Sequence, residues 1–443
     1  MTPRRLAVQA LLHQEQAGYA NLVLDAELKK CTPAPEPRDA AFAAGIFYTA
    51  VERMPLLDYL LGQFLKKPLA KLDAPVRAVL RAGLAQARFM QVPVSAAVNE
   101  SVKLTKAFGK TSAAGMVNAV LRRAAVQPVS ESDFADPLQR LQIYYCLSAP
   151  VAALLYSQYG DEAFAMAASF FEKPAAAVRV NTLKTTDAAL TARLQSEGCD
   201  AAPGPWAHCL LTKFSGSPAA TKAFAEGLYH VQGLASQFAA LCVQAQPGQK
   251  VLDLCAAPGG KSLALAGLMQ NSGELFSCDA APSRVPLIEQ AMKRCGVRIA
   301  KVMCADASQY NEALANADRV LCDVPCSGLG ILGKKPDIRY KQLDDLQSLC
   351  TLQYKILENA AKYLNKNGVL VYSTCTINPN ENTAVVAKFL REHPDFAPAE
   401  LPYIPAGALQ DEVRGITILP DRCGMDGFYV ARLQKKAENE NKS

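Results

Sequence analysis

The stretch KVLDLCAAPGGKSLALAGLM, residues 250–269, decides the fold of this chain. It begins as an apolar strand, continues into a loop of small residues and ends as an apolar helix. Small residues let a ligand approach the backbone closely, and the start of the helix offers free N–H groups to polar atoms of that ligand. The stretch therefore predicts a strand, loop and helix that bind a nucleotide-like ligand.

Three ligands compete for this loop. A phosphate-binding loop needs Gly-x4-Gly-Lys-Ser, and the chain has Gly-Lys-Ser at 260–262 but Cys255 where the first glycine belongs. The dinucleotide fingerprint G-x-G-x-x-G is also missing. S-adenosylmethionine is the favoured ligand that remains.

The apolar strands ELFSCD, IAKVMCAD, ADRVLCD and NGVLVYSTC follow, alternating with helical stretches. This alternation predicts a doubly wound, mostly parallel sheet in a Rossmann-like α/β domain at 236–434, before a polar tail at 435–443. The next two strands are predicted to end in Asp279 and Asp306, where a carboxylate can hydrogen-bond ribose hydroxyls. Both acids support the same ligand.

Two further regions precede this domain. Apolar residues recur at spacings of three and four throughout 4–125, which predicts an all-α domain at 1–128. A polar stretch after Pro128, a helical segment and short strand-like pieces then predict linker helices and a small α/β module at 129–235.

Composition bounds the class of protein. Residues 1–128 carry 17 Lys and Arg against 9 Asp and Glu, whereas the remainder carries 30 against 32. Clustered cations gain affinity for phosphates by releasing counterions, so the N-terminal domain favours an anionic partner. No apolar run approaches the roughly 20 residues of a membrane span. We expect a folded cytoplasmic protein without a membrane partner.

Cysteine and histidine usage argues against metal sites and disulfides. The 14 cysteines include no C-x-x-C pair, and the chain has only four histidines, so no zinc-ligand pattern exists. With no secretory signal, free thiols are expected. Several cysteines are interpreted as small buried apolar residues, namely Cys242, Cys278, Cys304, Cys322 and Cys350.

Two cysteines are different, because each directly follows a predicted parallel strand. The fourth strand ends at Asp323 and runs into Cys326, and the fifth runs into Cys375. Both thiols are therefore expected at the carboxyl edge of the sheet, where ligands bind. C5 of cytosine becomes nucleophilic only after a group such as a thiolate adds to C6, and a second group then removes the C5 proton. We expect Asp323 to hold the base at N3 and N4, while the residues alone do not assign the two roles between the cysteines.

Three motifs resemble those of the RNA cytosine-C5 methyltransferases: LDLCAAPGGKS at 252–262, DVPCSGLGILGKKPDIRY at 323–340 and YSTCTINPNEN at 372–382. The resemblance implies that Cys375, in the Thr-Cys motif, is the nucleophile and that Cys326, in the Pro-Cys motif, assists product release. It also implies S-adenosyl-L-methionine as cofactor, contacted by Cys255, Ala256, Ala257, Pro258, Gly259, Gly260, Lys261, Asp279, Arg284, Asp306 and Asp323.

The helical region resembles a NusB-type RNA-binding domain through RDAAF, KPLAKLDAPVRAVLRAGLAQ, VPVSAAVNESVKLTK and GMVNAVLRR. With RVNTLK at 179–184, the whole chain is similar to the bacterial RsmB (Sun/Fmu) type. This implies methylation of a cytosine in 16S rRNA, free or in an early small-subunit particle, by a monomer without a metal. The chain departs from the family at Ala149 and Gly233, neither of which belongs to the catalytic set.

Other functions stay open. The same chemistry on tRNA or 23S rRNA is opposed only by the NusB-like domain. A non-catalytic RNA-binding assembly factor is opposed by the intact pair of cysteines. Four basic residues beyond the Pro-Cys motif are interpreted as a guide for RNA phosphates: Lys334, Lys335, Arg339 and Lys341.

Overall fold

A computed structural model of the chain describes residues 1–15, 20–214 and 216–437. The chain divides into two compact units. The helical unit comprises 1–168 and 332–343, and the sheet unit comprises 169–331 and the residues from 344 onward. The domain boundaries near 128 and 235 stay predictions.

The helical unit is built from amphipathic helices that bury their apolar faces against one another. They are α1 (Pro3–Gln14), α2 (Ala20–Lys29), α3 (Pro37–Glu52), α4 (Met54–Gly62), α5 (Ala74–Phe89), α6 (Val94–Ala107), α7 (Ala114–Ala124), α8 (Pro137–Gln139), α9 (Ala149–Tyr159) and α10 (Glu162–Ser169). Gly83 lets α5 approach its neighbours, because a Cβ there would lie 2.4 Å from the Ser101 hydroxyl and 2.9 Å from Leu121. The predicted all-α N-terminal fold is confirmed.

Residues 332–343 belong to the helical unit although they follow the Pro-Cys motif in the sequence. Arg339 is fully buried, and its guanidinium donates to two backbone carbonyls of that unit. The Tyr340 hydroxyl donates to the carbonyl of Val51 at 2.5 Å. The interpretation of Arg339 as a phosphate guide is therefore wrong, since a buried guanidinium satisfied by the backbone cannot reach RNA, whereas Lys334 is exposed.

The sheet unit begins with a small α/β module. Its elements are β1 (Ala176–Val180), α11 (Asp187–Ser196), β2 (Asp200–Pro203), β3 (Cys209–Lys213), α12 (Lys222–Ala225) and β4 (Tyr229–Val231). The strands form an antiparallel sheet in the order β2-β3-β1-β4. Val178, Leu190 and Tyr229 meet in its apolar core, which confirms the predicted module.

A larger sheet follows. Its elements are α13 (Leu234–Val243), β5 (Lys250–Asp253), α14 (Gly260–Leu268), β6 (Glu274–Asp279), α15 (Val285–Cys295), β7 (Ala300–Cys304), β8 (Ala317–Asp323), α16 (Leu346–Tyr363), β9 (Leu364–Thr374), α17 (Thr383–Glu392), β10 (Phe396–Pro398), β11 (Leu409–Gln410), β12 (Ile416–Ile418), α18 (Pro420–Cys423) and β13 (Phe428–Lys435). Strands β7-β6-β5-β8-β9 are parallel, and β13, β12 and β11 continue the sheet antiparallel, with β10 beside β13. The predicted doubly wound, mostly parallel fold is confirmed.

Both faces of this sheet are covered, as a parallel sheet requires. Alternate residues of β5 serve the two faces: Leu252 packs with residues of α16 and α17, and Val251 packs with residues of α13 and α14. The carboxyl ends of the parallel strands consequently meet at one edge, where Asp253, Asp279 and Asp323 end β5, β6 and β8.

Neither a membrane span nor a metal cluster occurs in the part of the chain that the structure describes. No helix in that part is both long and apolar enough to cross a membrane. No group of three or more His, Cys, Asp or Glu side chains is placed there to hold a metal ion.

Candidate active site

The ligand loop, residues 254–259, connects β5 to α14 at this edge. Gly259 has a φ of 105°, a conformation that L side chains rarely adopt. The N–H of Ala256 donates to the Cys278 carbonyl at 2.7 Å, which ties the loop to β6. No side chain caps α14, so its first N–H groups are free to donate to a ligand.

Asp253 lies buried beneath this loop. Its Oδ2 accepts from the Ser262 hydroxyl at 2.6 Å, and Ser277 donates to Ser262 at 2.9 Å. Its Oδ1 has no hydrogen-bond partner among the described residues. Burial raises the pKa of Asp253 to about 6, against the opposing effects of Ser262 and Lys261.

We expect Asp253→Asn to change the pH dependence of stability. A carboxyl whose pKa is raised by folding stabilises the fold below its unfolded pKa, and this contribution is lost as pH rises through about 6. From about pH 4 to about pH 8 the wild type should therefore lose about 2 kcal/mol of unfolding free energy relative to the variant. Urea unfolding at both pH values measures this difference, with the exposed Asp395→Asn as control. Parallel pH profiles for wild type and Asp253→Asn would contradict the expectation.

Asp279 is the last residue of β6, as predicted, whereas β7 ends at Cys304, so the prediction that a strand ends at Asp306 is wrong. Asp279 pairs in register with Cys304, two residues before Asp306. The Asp279 carboxylate accepts from the Ala257 N–H at 3.2 Å. Arg284 braces the same loop, since it donates to the Ala257 carbonyl at 2.7 Å and lies 3.6 Å from the Asp279 carboxylate. Asp306 is exposed, and its carboxylate accepts from the N–H and the hydroxyl of Ser308, at 2.9 and 2.8 Å.

Cys304, at the end of β7, is exposed. Its interpretation as a buried apolar residue is therefore wrong, because β7 is the edge strand of the sheet and its last residue is left uncovered. Cys350 is only half-buried, so the same interpretation is wrong for it. Cys242, Cys278 and Cys322 are buried, which confirms it for them.

The parallel pairing of β8 with β9 brings the two candidate catalytic cysteines together. Asp323 pairs in register with Ser373, so the Pro-Cys loop (324–331) and the Thr-Cys loop (375–382) leave the sheet side by side. The sulfur atoms of Cys326 and Cys375 are 3.1 Å apart, and both cysteines are half-buried and outside any disulfide. Two residues separated by 49 positions thus form one dithiol site.

Lys261 connects the ligand loop to this dithiol site. Its ammonium donates to Asp323 Oδ2 at 2.6 Å, and the Ser373 hydroxyl donates to Asp323 Oδ1 at 2.8 Å. Burial alone would lower the pKa of Lys261, but the charges of Asp323, Asp253 and Cys375 outweigh it and raise that pKa. Lys261 therefore stays cationic beside Cys375, where it favours a thiolate.

The surroundings of Cys326 raise the pKa of its thiol. Its hydrogen bond with Cys375 and its burial raise the pKa of its thiol well above the ordinary value, and the charges of Glu381 and Asp323 add to this. The Cys326 thiol can therefore act as a proton donor, while the cation of Lys261 lies on the side of Cys375. Cys255 packs against the apolar core, and burial raises the pKa of its thiol too.

Sequence reasoning assigned no role to Glu381 and Asn382, although both lie in the quoted Thr-Cys motif. Glu381 is fully buried and accepts from the residue after Cys326. Asn382 accepts from the Thr374 hydroxyl at 2.7 Å and donates to the Thr376 carbonyl at 3.0 Å, on either side of Cys375. The signal in the sequence was an acid and three asparagines at 378–382, between Cys375 and the start of α17.

The arrangement fits S-adenosyl-L-methionine. The uncapped start of α14, the unpaired Oδ1 of Asp253 and the carboxylates of Asp279 and Asp306 offer donors and acceptors along one edge. The start of α14 and Asp253 suit the amino acid part of this molecule, and the carboxylates of Asp279 and Asp306 suit its ribose hydroxyls. S-adenosyl-L-methionine would supply a reactive methyl group there. The two cysteines of the dithiol site follow the neighbouring strands β8 and β9.

Comparison with known proteins shows the family to which the chain belongs. Residues 240–434 match the family described as 16S rRNA methyltransferase RsmB/F. Residues 1–126 match the NusB family, and 152–212 match the ferredoxin-like domain of RsmF/B-like methyltransferases. The probable ribosomal RNA small subunit methyltransferase B of Bacillus subtilis is 33% identical to the chain, with 98% of each covered. The ribosomal RNA small subunit methyltransferase B of Thermus thermophilus is 34% identical, again with 98% of each covered.

Solved structures are similar in fold to the chain. The crystal structure of PH0851 is similar with a TM-score of 0.81 at 26% identity, covering 98% of this chain and 99% of that one. A methyltransferase homologue from Pyrococcus horikoshii has a TM-score of 0.61 at 27% identity, covering 68% of this chain and all of that one. With relatives of this identity over nearly its whole length, the chain belongs to the RsmB/F family of S-adenosyl-L-methionine-dependent 16S rRNA methyltransferases.

Proposed function

We propose that the protein methylates C5 of a cytosine in 16S rRNA through covalent addition of Cys375 to C6. The observation that carries this proposal is the pair of sulfurs 3.1 Å apart beside the ligand loop. Two adjacent thiols serve a reaction in which one sulfur adds to the base and a separate group handles protons. A protein that only binds RNA would not need two adjacent thiols at this site.

In the proposed reaction the Cys375 thiolate forms a bond to C6, and the electron pair of the C5–C6 double bond moves through the ring. S-adenosyl-L-methionine supplies the methyl group that C5 takes up. Loss of the C5 proton then restores the double bond as the bond from sulfur to C6 breaks. The Cys326 thiol, whose pKa is raised and whose sulfur lies 3.1 Å from that of Cys375, gives its proton to the departing sulfur, and the thiolate that remains takes up the C5 proton.

Asp323 is proposed to hold the base during addition. Its oxygens already accept from Lys261 and Ser373, and each carboxylate oxygen has a further lone pair that can accept from the exocyclic amine of cytosine. These two bonds fix the orientation of the carboxylate before the base arrives. The target nucleotide is proposed to leave its stack, since neither C5 nor C6 is reachable within a helix.

The choice of 16S rRNA rests on the relatives and on the basic helical domain. The curated relatives are named for the small ribosomal subunit. The first 128 residues, which include the segment that matches NusB, carry the surplus of cations. Cations of this kind supply affinity for the phosphate backbone but no sequence preference.

Transfer of label from methyl-labelled S-adenosyl-L-methionine tests the proposal. We expect label on 5-methylcytosine in unmodified 16S rRNA, offered either free or in a small-subunit particle, and none on tRNA or 23S rRNA given in equal amount. Nuclease digestion and mass spectrometry identify the labelled nucleoside. Label on tRNA or 23S rRNA would overturn the substrate, label at another ring position would overturn the chemistry, and no label in any RNA would indicate a non-catalytic factor.

A further inference from the structure

The carboxylate of Glu381 lies between the two cysteine loops. It is fully buried and accepts from the N–H and the hydroxyl of Ser327, at 2.8 and 2.5 Å. Thr376 and Asn378 donate to it at 3.3 and 3.0 Å, and Gln353 of α16 donates at 3.0 Å. All five donors are neutral, so hydrogen bonds compensate the burial of this charge.

The positions of these donors are specific to the dithiol site. Ser327 directly follows Cys326, and Thr376 directly follows Cys375. The hydroxyls of Ser327 and Thr376 are themselves 2.8 Å apart. The Glu381 carboxylate therefore binds the residue after each cysteine. On the Pro-Cys side it binds Ser327, which is 54 positions away in the sequence.

The backbone of Glu381 is held as firmly as its side chain. The Tyr372 hydroxyl, on β9, donates to the Glu381 carbonyl at 2.6 Å within the core. Gln353 uses its amide nitrogen both for Glu381 and for the Pro325 carbonyl at 2.9 Å, which adds a second tie to the Pro-Cys loop. The carboxylate is thus a fixed point to which both loops attach.

We propose that Glu381 is a positioning residue whose carboxylate clamps the Pro-Cys loop to the Thr-Cys loop and thereby sets the separation of the two sulfurs. Its value for methyl transfer rests on the proposed function, whereas the clamp itself is a property of the fold. A carboxylate suits this position because N–H groups, which cannot accept, donate to both of its oxygens: Asn378 to Oε1, and Ser327 and Gln353 to Oε2. An amide in its place would turn an N–H₂ group toward N–H and O–H donors.

The charge of Glu381 also acts on Cys326. Cys375, Glu381 and Asp323 act on the pKa of Cys326, the Tyr372 hydroxyl of β9 also interacts with this thiol, and the Lys261 ammonium is paired with Asp323. The Glu381 carboxylate raises the pKa of the Cys326 thiol and so helps to keep it protonated. Replacing Glu381 with a neutral residue removes this effect, whereas removing only a hydrogen-bond donor leaves it.

A trivalent arsenical tests the clamp without any methyl transfer. Phenylarsine oxide joins two nearby thiols through two arsenic–sulfur bonds and releases water, so its affinity depends on the sulfur separation. We expect wild type to be bridged between Cys326 and Cys375, as seen by peptide mass spectrometry, and Glu381→Gln to bind the reagent about tenfold more weakly at that pair. The exposed Glu400→Gln, outside the site, is the matched control and should bind as wild type does. Wild-type affinity in a folded Glu381→Gln protein would overturn the proposal.

Ser327→Ala separates positioning from charge and guards against simple unfolding. It removes one donor but keeps the carboxylate, so we expect a smaller loss of arsenical affinity and no change in the pH at which Cys326 is alkylated. In Glu381→Gln the alkylation of Cys326 should move to lower pH, because a neighbouring negative charge is gone. Circular dichroism melting confirms folding of each variant. A pH profile that does not differ between the two variants would overturn the role of the carboxylate.

Methyl transfer supplies the last readout. We expect Glu381→Gln to lower kcat by about 10- to 100-fold with KM for RNA and S-adenosyl-L-methionine nearly unchanged, since Glu381 contacts neither. Equal losses in kcat and in both affinities would indicate general disruption and overturn the assignment. If wild type transfers no methyl group but the arsenical contrast holds, the proposed function fails and the clamp stands.

Discussion

Replacing Cys375 by alanine is expected to lower methyl transfer to 16S rRNA by about 10⁴-fold or more, because loss of a covalent nucleophile removes the reaction path rather than weakening one contact. Without addition at C6, C5 of cytosine stays too electron-poor to take up a methyl group. The cation of Lys261 favours the thiolate form of Cys375, and alanine has no group that can take this role. Binding of S-adenosyl-L-methionine should be unaffected, since the ligand loop follows β5, whereas Cys375 follows β9.

Single-turnover transfer of labelled methyl to RNA measures this effect, and calorimetry checks that the cofactor still binds. The matched control is Cys31→Ala, which removes a half-buried free thiol of the helical unit and should keep wild-type activity. Transfer by Cys375→Ala within about tenfold of wild type would mean that a different group adds to C6.

The Cys326→Ala variant is expected to accumulate a covalent protein–RNA adduct. In this variant Cys375 still forms its bond to C6. The thiol of Cys326, which lies 3.1 Å from Cys375 and protonates the departing sulfur, is missing. The adduct should therefore persist through denaturing electrophoresis as a band of RNA-shifted protein, whereas wild type shows little of it. Turnover should fall by about 10²- to 10⁴-fold, as is typical when a general acid or base is removed.

The double variant with alanine at both cysteines is the control for this result, since an adduct through Cys375 requires that sulfur. It should show no shifted band. Peptide mapping of the adduct should locate the modified nucleotide on Cys375. If the band instead builds up in Cys375→Ala, the two roles are reversed, and the family resemblance has assigned them in the wrong order.

Local patterns in the sequence predicted the large elements well. The strand, loop and helix at 250–269, the helical N-terminal region and the alternating strands all depend on periodicities that are read within a few residues. The fold class, the family and S-adenosyl-L-methionine as cofactor are confirmed. The acids Asp279 and Asp323 were found for the same reason, since the last residue of a parallel strand is visible as the end of an apolar run.

Residues whose environment is made by distant parts of the chain were not predictable in this way. Arg339 carries the charge of a surface residue, yet it is buried because backbone carbonyls of the helical unit satisfy its donors. Cys304 ends an apolar strand, yet it is exposed because that strand is at the edge of the sheet. Burial at such positions depends on which elements become neighbours, and composition does not encode that directly.

For the opening stretch, 250–269, the sequence by itself determined a strand, a tight glycine loop and a helix whose start can bind a ligand. It also narrowed the candidate nucleophiles to Cys326 and Cys375. Only the tertiary structure decided that their sulfurs lie 3.1 Å apart and that Lys261 extends from the helix to Asp323. The physical reason is that the hydrogen bonds of a helix and the side-chain alternation of a strand depend on residues close in sequence, whereas the pairing of β8 with β9 joins residues about 50 positions apart.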